Sequence, residues 1–177
     1  MVERRVFLAA AAAVLSAPAQ AAGLTGFTLA RLEGGPMPLS EFAGRLVLVV
    51  NTASFCGYTQ QYQGLQRLHD RFEARGLTVL GVPSNDFNQE STDNRRIREF
   101  CDGMFGISFP MAALSHVRGA QALPLYQWLA AQAGGPPRWN FHKYLVARDG
   151  LRVRAFATGV EPGAPELLRA VEAGLAA

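Results

Sequence analysis

The apolar residues of the chain fall alternately in short continuous runs and at helical spacing. Two runs, "RLVLVVNT" (45–52) and "LTVLGV" (77–82), are typical of strands buried on both faces. The segment between them predicts an amphipathic helix from about Gln60 to Arg75 that ends at Gly76. Its apolar positions are Leu65, Leu68 and Phe72. Two such strands joined by one helix form a right-handed βαβ unit when they are parallel.

The remaining segments continue this alternation. The pattern predicts an opening strand over 27–32, a helix over 91–102 capped by Ser91 or Thr92, a helix carrying Leu125, Trp128 and Leu129, a hairpin over 143–158 with its turn at Asp149-Gly150, and a last helix holding Leu167, Leu168, Val171 and Leu175. The run "FPMAAL" (109–114) fits neither class. This order predicts an α/β protein with a thioredoxin-like fold, in which helices flank a central mixed sheet.

Composition supports one ordinary domain. The chain has 177 residues, of which 49% are hydrophobic and 18% charged, enough to bury one core. The net charge is +3. Because the basic residues are scattered rather than clustered, nucleic-acid binding is not expected.

The N-terminal segment is predicted to be a secretory signal peptide. "MVERRVFLAAAAAVLSAPAQA" combines basic residues, a short apolar run and small residues before a cleavage site after Ala21. The apolar run is too short to span a bilayer, which needs about twenty residues, so stable membrane insertion is not expected. "RRVFL" is also compatible with a twin-arginine export signal. Residues 22–177 would then form a periplasmic or secreted domain, where cysteine pairs can persist oxidised.

One of the two cysteines, Cys56, lies where a buried strand gives way to a helix. The N–H groups of a helix N-terminus favour a thiolate, which is the nucleophilic form of cysteine. Position alone leaves a buried structural cysteine as the alternative.

The residues around Cys56 exclude several classes of thiol-dependent protein. A Cys-x-x-Cys exchanger is excluded because Thr59 occupies the fourth position. The three histidines are dispersed, so neither a metal site nor a Cys–His protease pair is indicated, and no cofactor is expected. A peroxiredoxin-type motif would need Thr or Ser where Ala53 stands. What remains is a single activated cysteine that can attack an electrophile such as a peroxide.

Three segments in order, "VNTASFCGYTQQYQGLQRL", "GLTVLGVPSNDFNQE" and "RWNFHKYLV", resemble the glutathione peroxidase family over most of the chain. The resemblance implies a thioredoxin fold and reduction of hydrogen peroxide or organic hydroperoxides at Cys56. It also implies a catalytic tetrad completed by Gln89, Trp139 and Asn140. Their amide and indole N–H groups are neutral donors that stabilise a thiolate and a departing oxygen.

The glutamine loop departs from the family pattern. The family usually has Phe-Gly-x-Gln-Glu, whereas this chain has Phe87-Asn88-Gln89-Glu90, one residue fewer. A contracted loop keeps Gln89 in the catalytic role, and an ungapped loop puts Glu90 there. Gln89 is the prediction, because a carboxylate would oppose a thiolate; the shorter loop is expected to weaken activity.

The second cysteine, Cys101, lies where thioredoxin-dependent members of the family carry a resolving cysteine. The resemblance therefore implies that Cys101 condenses with the Cys56 sulfenic acid and that a thioredoxin-like donor reduces the disulfide. Two alternatives remain: a glutathione-dependent peroxidase with Cys101 idle, and a non-catalytic redox sensor on the same fold. The short segment between Trp128 and Trp139 lacks an insertion found in tetrameric members, which favours a monomer.

Overall fold

The computed structural model describes residues 23–177, and its centre is a four-stranded mixed sheet. The strands are β1 (Thr28–Ala30), β2 (Pro36–Pro38), β3 (Leu46–Thr52), β4 (Leu77–Pro83), β5 (Lys143–Val146) and β6 (Val153–Phe156); the helices are α1 (Gln61–Phe72), α2 (Asn94–Phe105), α3 (Pro124–Ala133) and α4 (Pro165–Ala176). Short 3-10 turns cover Gly23–Gly26, Leu39–Phe42 and Glu73–Arg75. The predicted signal peptide lies outside the described residues.

The order of the main sheet is β4-β3-β5-β6. Strand β3 pairs in parallel with β4 and antiparallel with β5, and β5 pairs antiparallel with β6. Every residue of β3 and β4 is buried, as the continuous apolar runs predict. The parallel pair is joined by α1, so the predicted βαβ unit is confirmed.

Side chains on the two faces of the sheet form two separate cores. Helices α1, α2 and α4 contribute to one core, which also contains Cys56 and Cys101. Helix α3 and the N-terminal segment contribute to the other. The pairings of Val50 with Lys143 and of Lys143 with Phe156 bring the end of β3, the start of β5 and the end of β6 to one edge of the sheet.

Several predicted elements differ from the observed ones. The opening strand is shorter than predicted and pairs with β2 in a separate small sheet. Segment 109–114 forms isolated bridges to Gly81 and Arg31 rather than a strand. Neither Ser91 nor Thr92 caps α2; the cap is Asp93, whose carboxylate accepts hydrogen bonds from the N–H groups of Arg95 and Arg96. Aspartate is among the residues preferred at this position, because its side-chain oxygen pairs with N–H groups that the helix itself leaves free.

Candidate active site

Cys56 lies in the turn between the end of β3 and the start of α1. Its side chain is buried, with 8% of its surface exposed. The Cys56 N–H donates to Thr59 Oγ1 at 3.0 Å, and that hydroxyl donates to the Ala53 carbonyl at 3.0 Å. Thr59, which stands where a Cys-x-x-Cys motif would have its second cysteine, therefore holds the turn around Cys56 closed.

The thiol sulfur itself has one hydrogen-bond donor. The backbone N–H of Tyr58 points at Cys56 Sγ with a nitrogen–sulfur distance of 3.4 Å. A backbone N–H is a neutral donor, and it reaches the sulfur from the residue two positions further along the turn. The turn before α1 thus provides the kind of donor that the strand–turn–helix pattern predicts.

Gln89 and Asn140 meet beside this turn. The Asn140 side-chain N–H donates to Gln89 Oε1 at 2.9 Å, and the Phe55 N–H donates to the Gln89 carbonyl at 3.0 Å. The residue next to Cys56 is thereby bonded to the glutamine loop, which is bonded to the segment before β5. Three segments that are far apart in the chain converge at one edge of the sheet.

The shortened loop turns tightly at Asn88, whose φ is 56°. Asparagine is among the non-glycine residues that most readily adopt this left-handed conformation. The tight turn leaves the Glu90 side chain buried, with one carboxylate oxygen accepting the Ser91 N–H at 2.7 Å. Burial raises the pKa of Glu90. Of the two candidates for the catalytic position, Gln89 contacts Asn140 and Glu90 is directed into the protein.

Trp139 lies at the surface beside the same loop. Its side chain is 41% exposed and packs on Phe87, with ring centroids 5.2 Å apart. Asn51, at the end of β3, donates from its side-chain amide to the Trp139 carbonyl at 3.0 Å, and its own carbonyl accepts the Phe141 N–H at 2.6 Å. Asn51, a buried residue at the end of β3, therefore holds the backbone before and after Asn140 in place.

Lys143 is a supporting residue that the sequence reasoning missed. It is fully buried, and its ammonium donates to the Phe141 carbonyl at 2.7 Å. Phe141 has a φ of 60°, an unusual conformation for a bulky residue. Burial lowers the Lys143 pKa to about 8, although Glu161 opposes this shift. A signal was present, because this is the only lysine of the chain and it opens a buried strand.

Cys101 lies on α2 and is completely buried. Burial raises its thiol pKa to about 11; nearby Glu90 and Asp102 act in the same direction, whereas a hydrogen bond with Tyr62 opposes them. Both cysteines are free. In this conformation Cys101 is a protonated core thiol, and the structure does not join it to Cys56.

Within residues 23–177, no three His, Cys, Asp or Glu side chains lie close enough together to hold a metal ion. No helix in that range is long and apolar enough to cross a membrane.

Known proteins that are similar to this chain identify the family to which it belongs. The model of the glutathione peroxidase family matches residues 24–130. The chain is 41% identical over 148 residues to the hydroperoxy fatty acid reductase gpx1 of Synechocystis, covering 77% of this chain and 88% of that protein. It is 42% identical to the glutathione peroxidase-like peroxiredoxin gpx1 of Schizosaccharomyces pombe, covering 73% of this chain and 85% of that one. The chain belongs to the glutathione peroxidase family.

Solved structures agree with this assignment. The crystal structure of Trgpx in apo form superposes with a TM-score of 0.71 at 29% identity, covering 88% of this chain and 96% of that one. A thioredoxin-family thiol:disulfide interchange protein from Chlorobium tepidum superposes with a TM-score of 0.65 at 15% identity, covering 84% of this chain and 92% of that one, a likeness of fold alone.

The predicted fold and family are therefore confirmed. As a member of the glutathione peroxidase family, the protein is a peroxidase, an oxidoreductase that uses thiol chemistry to reduce hydroperoxides.

Proposed function

We propose that Cys56 is the peroxidatic residue and that Gln89, Trp139 and Asn140 assist it. The convergence of the Cys56 turn with Gln89 and Asn140 carries this proposal. The bond from Asn140 occupies the Gln89 side-chain oxygen, so the Gln89 amide is oriented by its oxygen and its N–H groups are left as donors. Such preorganised neutral donors stabilise developing negative charge without titrating.

The first step is a displacement at oxygen. The Cys56 thiolate attacks one peroxide oxygen, an S–O bond forms as the O–O bond breaks, and the departing oxygen takes a proton to leave as water or an alcohol. The sulfur is oxidised to a sulfenic acid. Donors from Gln89, Asn140 and the Trp139 indole would stabilise the charge on the departing oxygen.

The second step consumes the sulfenic acid. The Cys101 thiol attacks the Cys56 sulfur, an S–S bond forms and water leaves; a thioredoxin-like dithiol donor then reduces the disulfide. The relative named as a peroxiredoxin supports this order. Because Cys101 is fully buried on α2, the helix must open locally before the two sulfurs can meet.

The same burial favours a second candidate for the reductant. If α2 opens too slowly, glutathione reaches the sulfenic acid first, attacks it to form a mixed disulfide and releases water, and Cys101 remains idle. A second glutathione then restores the thiol and leaves as oxidised glutathione. The two candidates share the first step and differ only in the thiol that resolves it.

The surface around Cys56 suits an organic hydroperoxide. Phe55 and Tyr58 lie in the Cys56 turn and Trp139 lies on the segment that converges with it, and 68%, 40% and 41% of their surfaces are exposed. Exposed apolar groups gathered at one place commonly mark a binding surface. The relative named as a hydroperoxy fatty acid reductase supports an apolar substrate.

The location of the protein follows from its first residues. A signal peptide over 1–21, of the general secretory or twin-arginine type, would deliver the domain to the periplasm or the exterior, where a redox-active Cys56–Cys101 disulfide can persist. An export assay with and without that segment tests this part of the proposal.

The chemical proposal is tested by treating the purified protein with peroxide and mapping its thiols by mass spectrometry. Cys56→Ser should abolish turnover, whereas Cys101→Ser should keep the first oxidation and stop turnover supported by thioredoxin. A Cys56–Cys101 disulfide supports the dithiol route, and a glutathione adduct on Cys56 supports the other. If Cys56 is never oxidised, both the thioredoxin route and the glutathione route are wrong. The redox-sensor alternative then gains support only if peroxide oxidises Cys101.

A further inference from the structure

Asp86 is a mostly buried carboxylate that stands immediately before the glutamine loop (87–90) and binds a second segment, 116–118. Its side chain is 10% exposed. One carboxylate oxygen accepts a hydrogen bond from His116 Nδ1 at 2.6 Å, and the other accepts the backbone N–H groups of Val117 at 2.7 Å and Arg118 at 3.2 Å. Burial raises the pKa of Asp86, but these hydrogen bonds outweigh burial and lower the pKa below its ordinary value. An ionised carboxylate therefore joins the two segments.

Segment 116–118 is a firm anchor because it belongs to the core on the α3 side of the sheet. Val117 is completely buried in that core, together with Leu125 and Tyr126 of α3. The N–H of Leu123, the residue before α3, donates to the His116 carbonyl at 2.9 Å. Because protein cores are close-packed, a segment held in this way has little freedom to move. The hydrogen bonds of Asp86 therefore attach the glutamine loop to a fixed part of the molecule.

The same segment reaches the aromatic rings of the candidate active site through Arg118. The Arg118 guanidinium lies over the Phe87 ring, 5.1 Å from its centroid. A cation at this distance is attracted to the face of the ring. Phe87 in turn packs on Trp139, with ring centroids 5.2 Å apart. Phe87 therefore connects segment 116–118 to Trp139, and Asp86 holds both the backbone before Phe87 and the backbone of Arg118.

Hydrogen bonds within the glutamine loop give it a shape, whereas bonds to other segments give it a position. Asn85 closes the tight turn, because its carbonyl and its side-chain oxygen accept two N–H groups of the loop at 2.9 and 3.1 Å. Gln89 bonds the loop to the Cys56 turn, and Asp86 bonds it to segment 116–118. Loss of the Asp86 carboxylate would therefore leave the shape of the turn intact and release its first residue, Phe87.

We propose that Asp86 is a positioning residue of the peroxidase, which fixes Trp139 by holding segment 116–118 and Phe87 together. The proposal rests on the proposed function and adds to it the residue that orients one of its donors. An indole N–H stabilises the charge on a departing oxygen only when it is already directed at that oxygen. Asp86 acts through Phe87, so it contributes to the orientation of the indole and not to the chemistry itself.

The test measures the second-order rate constant for oxidation of Cys56 by hydrogen peroxide in a single turnover of the reduced protein. Asp86→Ala should lower this constant about tenfold, less than the roughly 10²–10³-fold loss that follows removal of a preorganised donor. Asp86→Asn should stay within about threefold of wild type, because its side-chain oxygen still accepts the backbone N–H groups.

Arg118→Gln tests the same contact in a variant that keeps all three hydrogen bonds of Asp86, and it serves if Asp86→Ala does not fold. It removes the cation from the Phe87 ring and should lower the rate constant by about two- to fivefold, the size of an exposed cation–π contact. Arg154→Gln is the matched control, because it removes an exposed guanidinium from another ring, that of Phe156, at 4.8 Å from its centroid. This control should not change the rate constant.

A double-mutant cycle distinguishes action through Trp139 from a general effect on the fold. In a Trp139→Phe background, Asp86→Ala or Arg118→Gln should change the rate constant by less than about twofold, because the donor that they position is gone. Equal losses with and without Trp139 overturn the proposal.

Fluorescence quenching by acrylamide separates the positioning of Trp139 from the peroxidase chemistry. The chain has two tryptophans, of which Trp128 is 5% exposed and Trp139 is 41% exposed, so acrylamide quenches mainly Trp139. Asp86→Ala and Arg118→Gln should raise the quenching constant, and Arg154→Gln should not. Unchanged quenching in the first two variants overturns the positioning role even if the peroxidase is active. Raised quenching in a protein whose Cys56 is not oxidised overturns only the peroxidase mechanism.

Discussion

At the scale of single residues, the segment from Trp139 to Phe141 is held in place by hydrogen bonds to its backbone. The carbonyls of Trp139, Asn140 and Phe141 accept hydrogen bonds from Asn51, Thr158 and Lys143, respectively. Buried backbone groups without partners cost free energy, so this complete pairing keeps an unusual backbone conformation in place. Lys143 contributes through a buried ammonium, whose desolvation has to be offset by that bond.

The buried ammonium predicts a specific dependence of stability on pH. Burial lowers the pKa of Lys143 to about 8 in the folded protein, against an ordinary value of 10.5 that applies to the unfolded chain. Between these values the unfolded chain binds more protons, so this residue makes the free energy of unfolding rise with pH, by roughly 3 kcal/mol over the window. The free-energy cost of burying the charged Lys143 ammonium is fully present below about pH 8.

Lys143→Met should remove this rise, and chemical denaturation at several pH values from neutral to 10.5 measures it. All other titratable groups are common to the two proteins, so the difference between the two curves isolates Lys143. The Phe141 carbonyl loses its donor at every pH, which costs about 1–3 kcal/mol. The variant should therefore be the less stable protein near pH 10.5, and below pH 8 the removed penalty should offset that cost. Parallel stability curves for the two proteins would contradict the assignment.

At this scale the sequence predicts the position of Cys56 better than the residues that support the site. Cys56 stands out because a cysteine at a strand–helix junction has a chemical consequence that is local, and the structure places it in the turn between β3 and α1. The choice of Gln89 over Glu90 was made on charge, and the structure places Gln89 against Asn140. Lys143 was missed because its role depends on the conformation of Phe141, which no local pattern encodes.

At the scale of elements, α2 controls access to Cys101. Its first turn is held by Asp93, and its last residue is followed by Gly106 in a left-handed conformation. Aromatic contacts attach it to its surroundings: Phe100 packs near Phe55, and Phe105 packs near Tyr62. Because the two cysteines follow Phe55 and Phe100 directly in the chain, the contact between these rings connects the Cys56 turn with α2.

Weakening the helix cap should expose Cys101. Asp93→Ala removes the acceptor for two N–H groups and should destabilise α2 by about 1 kcal/mol. An opening equilibrium shifted by that amount increases the reaction of Cys101 with a thiol reagent about fivefold. The rate is best measured in a Cys56→Ser background, where only one thiol reacts.

Glu99→Ala provides the control on the same helix, because it removes only the exposed ion pair between Arg95 and Glu99. Such pairs contribute little to stability, so the rate should change by less than twofold. An unchanged rate in the Asp93 variant would show that Cys101 is reached by a motion other than opening at the start of α2.

Element boundaries were less predictable than the elements themselves. The buried runs of β3 and β4 and the helical spacing of α1 are strong signals, and the structure reproduces them. The sequence does not single out Asp93 as the cap, because Ser91 and Thr92 offer equally good side chains two and one residues earlier. The choice among three adjacent capping residues depends on where the chain leaves the preceding loop, which is a tertiary property.

At the scale of the whole molecule, the predicted order of elements was sufficient to give the fold. A buried parallel pair joined by one helix, followed by an antiparallel hairpin and a last helix, leaves few ways to build one sheet. The small β1–β2 sheet was not predicted, because β2 is a three-residue strand with proline at both ends. Pairing at such a strand is decided by its neighbours and not by propensity.

The oligomeric state is the last property argued at this scale. The segment between α3 and Trp139 is only five residues long, and it lacks the insertion found in tetrameric members of the family. Light scattering of the purified protein should therefore give the mass of one chain, at most 19.1 kDa, over a hundredfold range of concentration. A mass that doubles with concentration would contradict the prediction. The variant Phe55→Ser would then test where the two copies meet. If the variant no longer dimerises, the contact lies at the aromatic surface around Cys56, where a partner copy would compete with substrate.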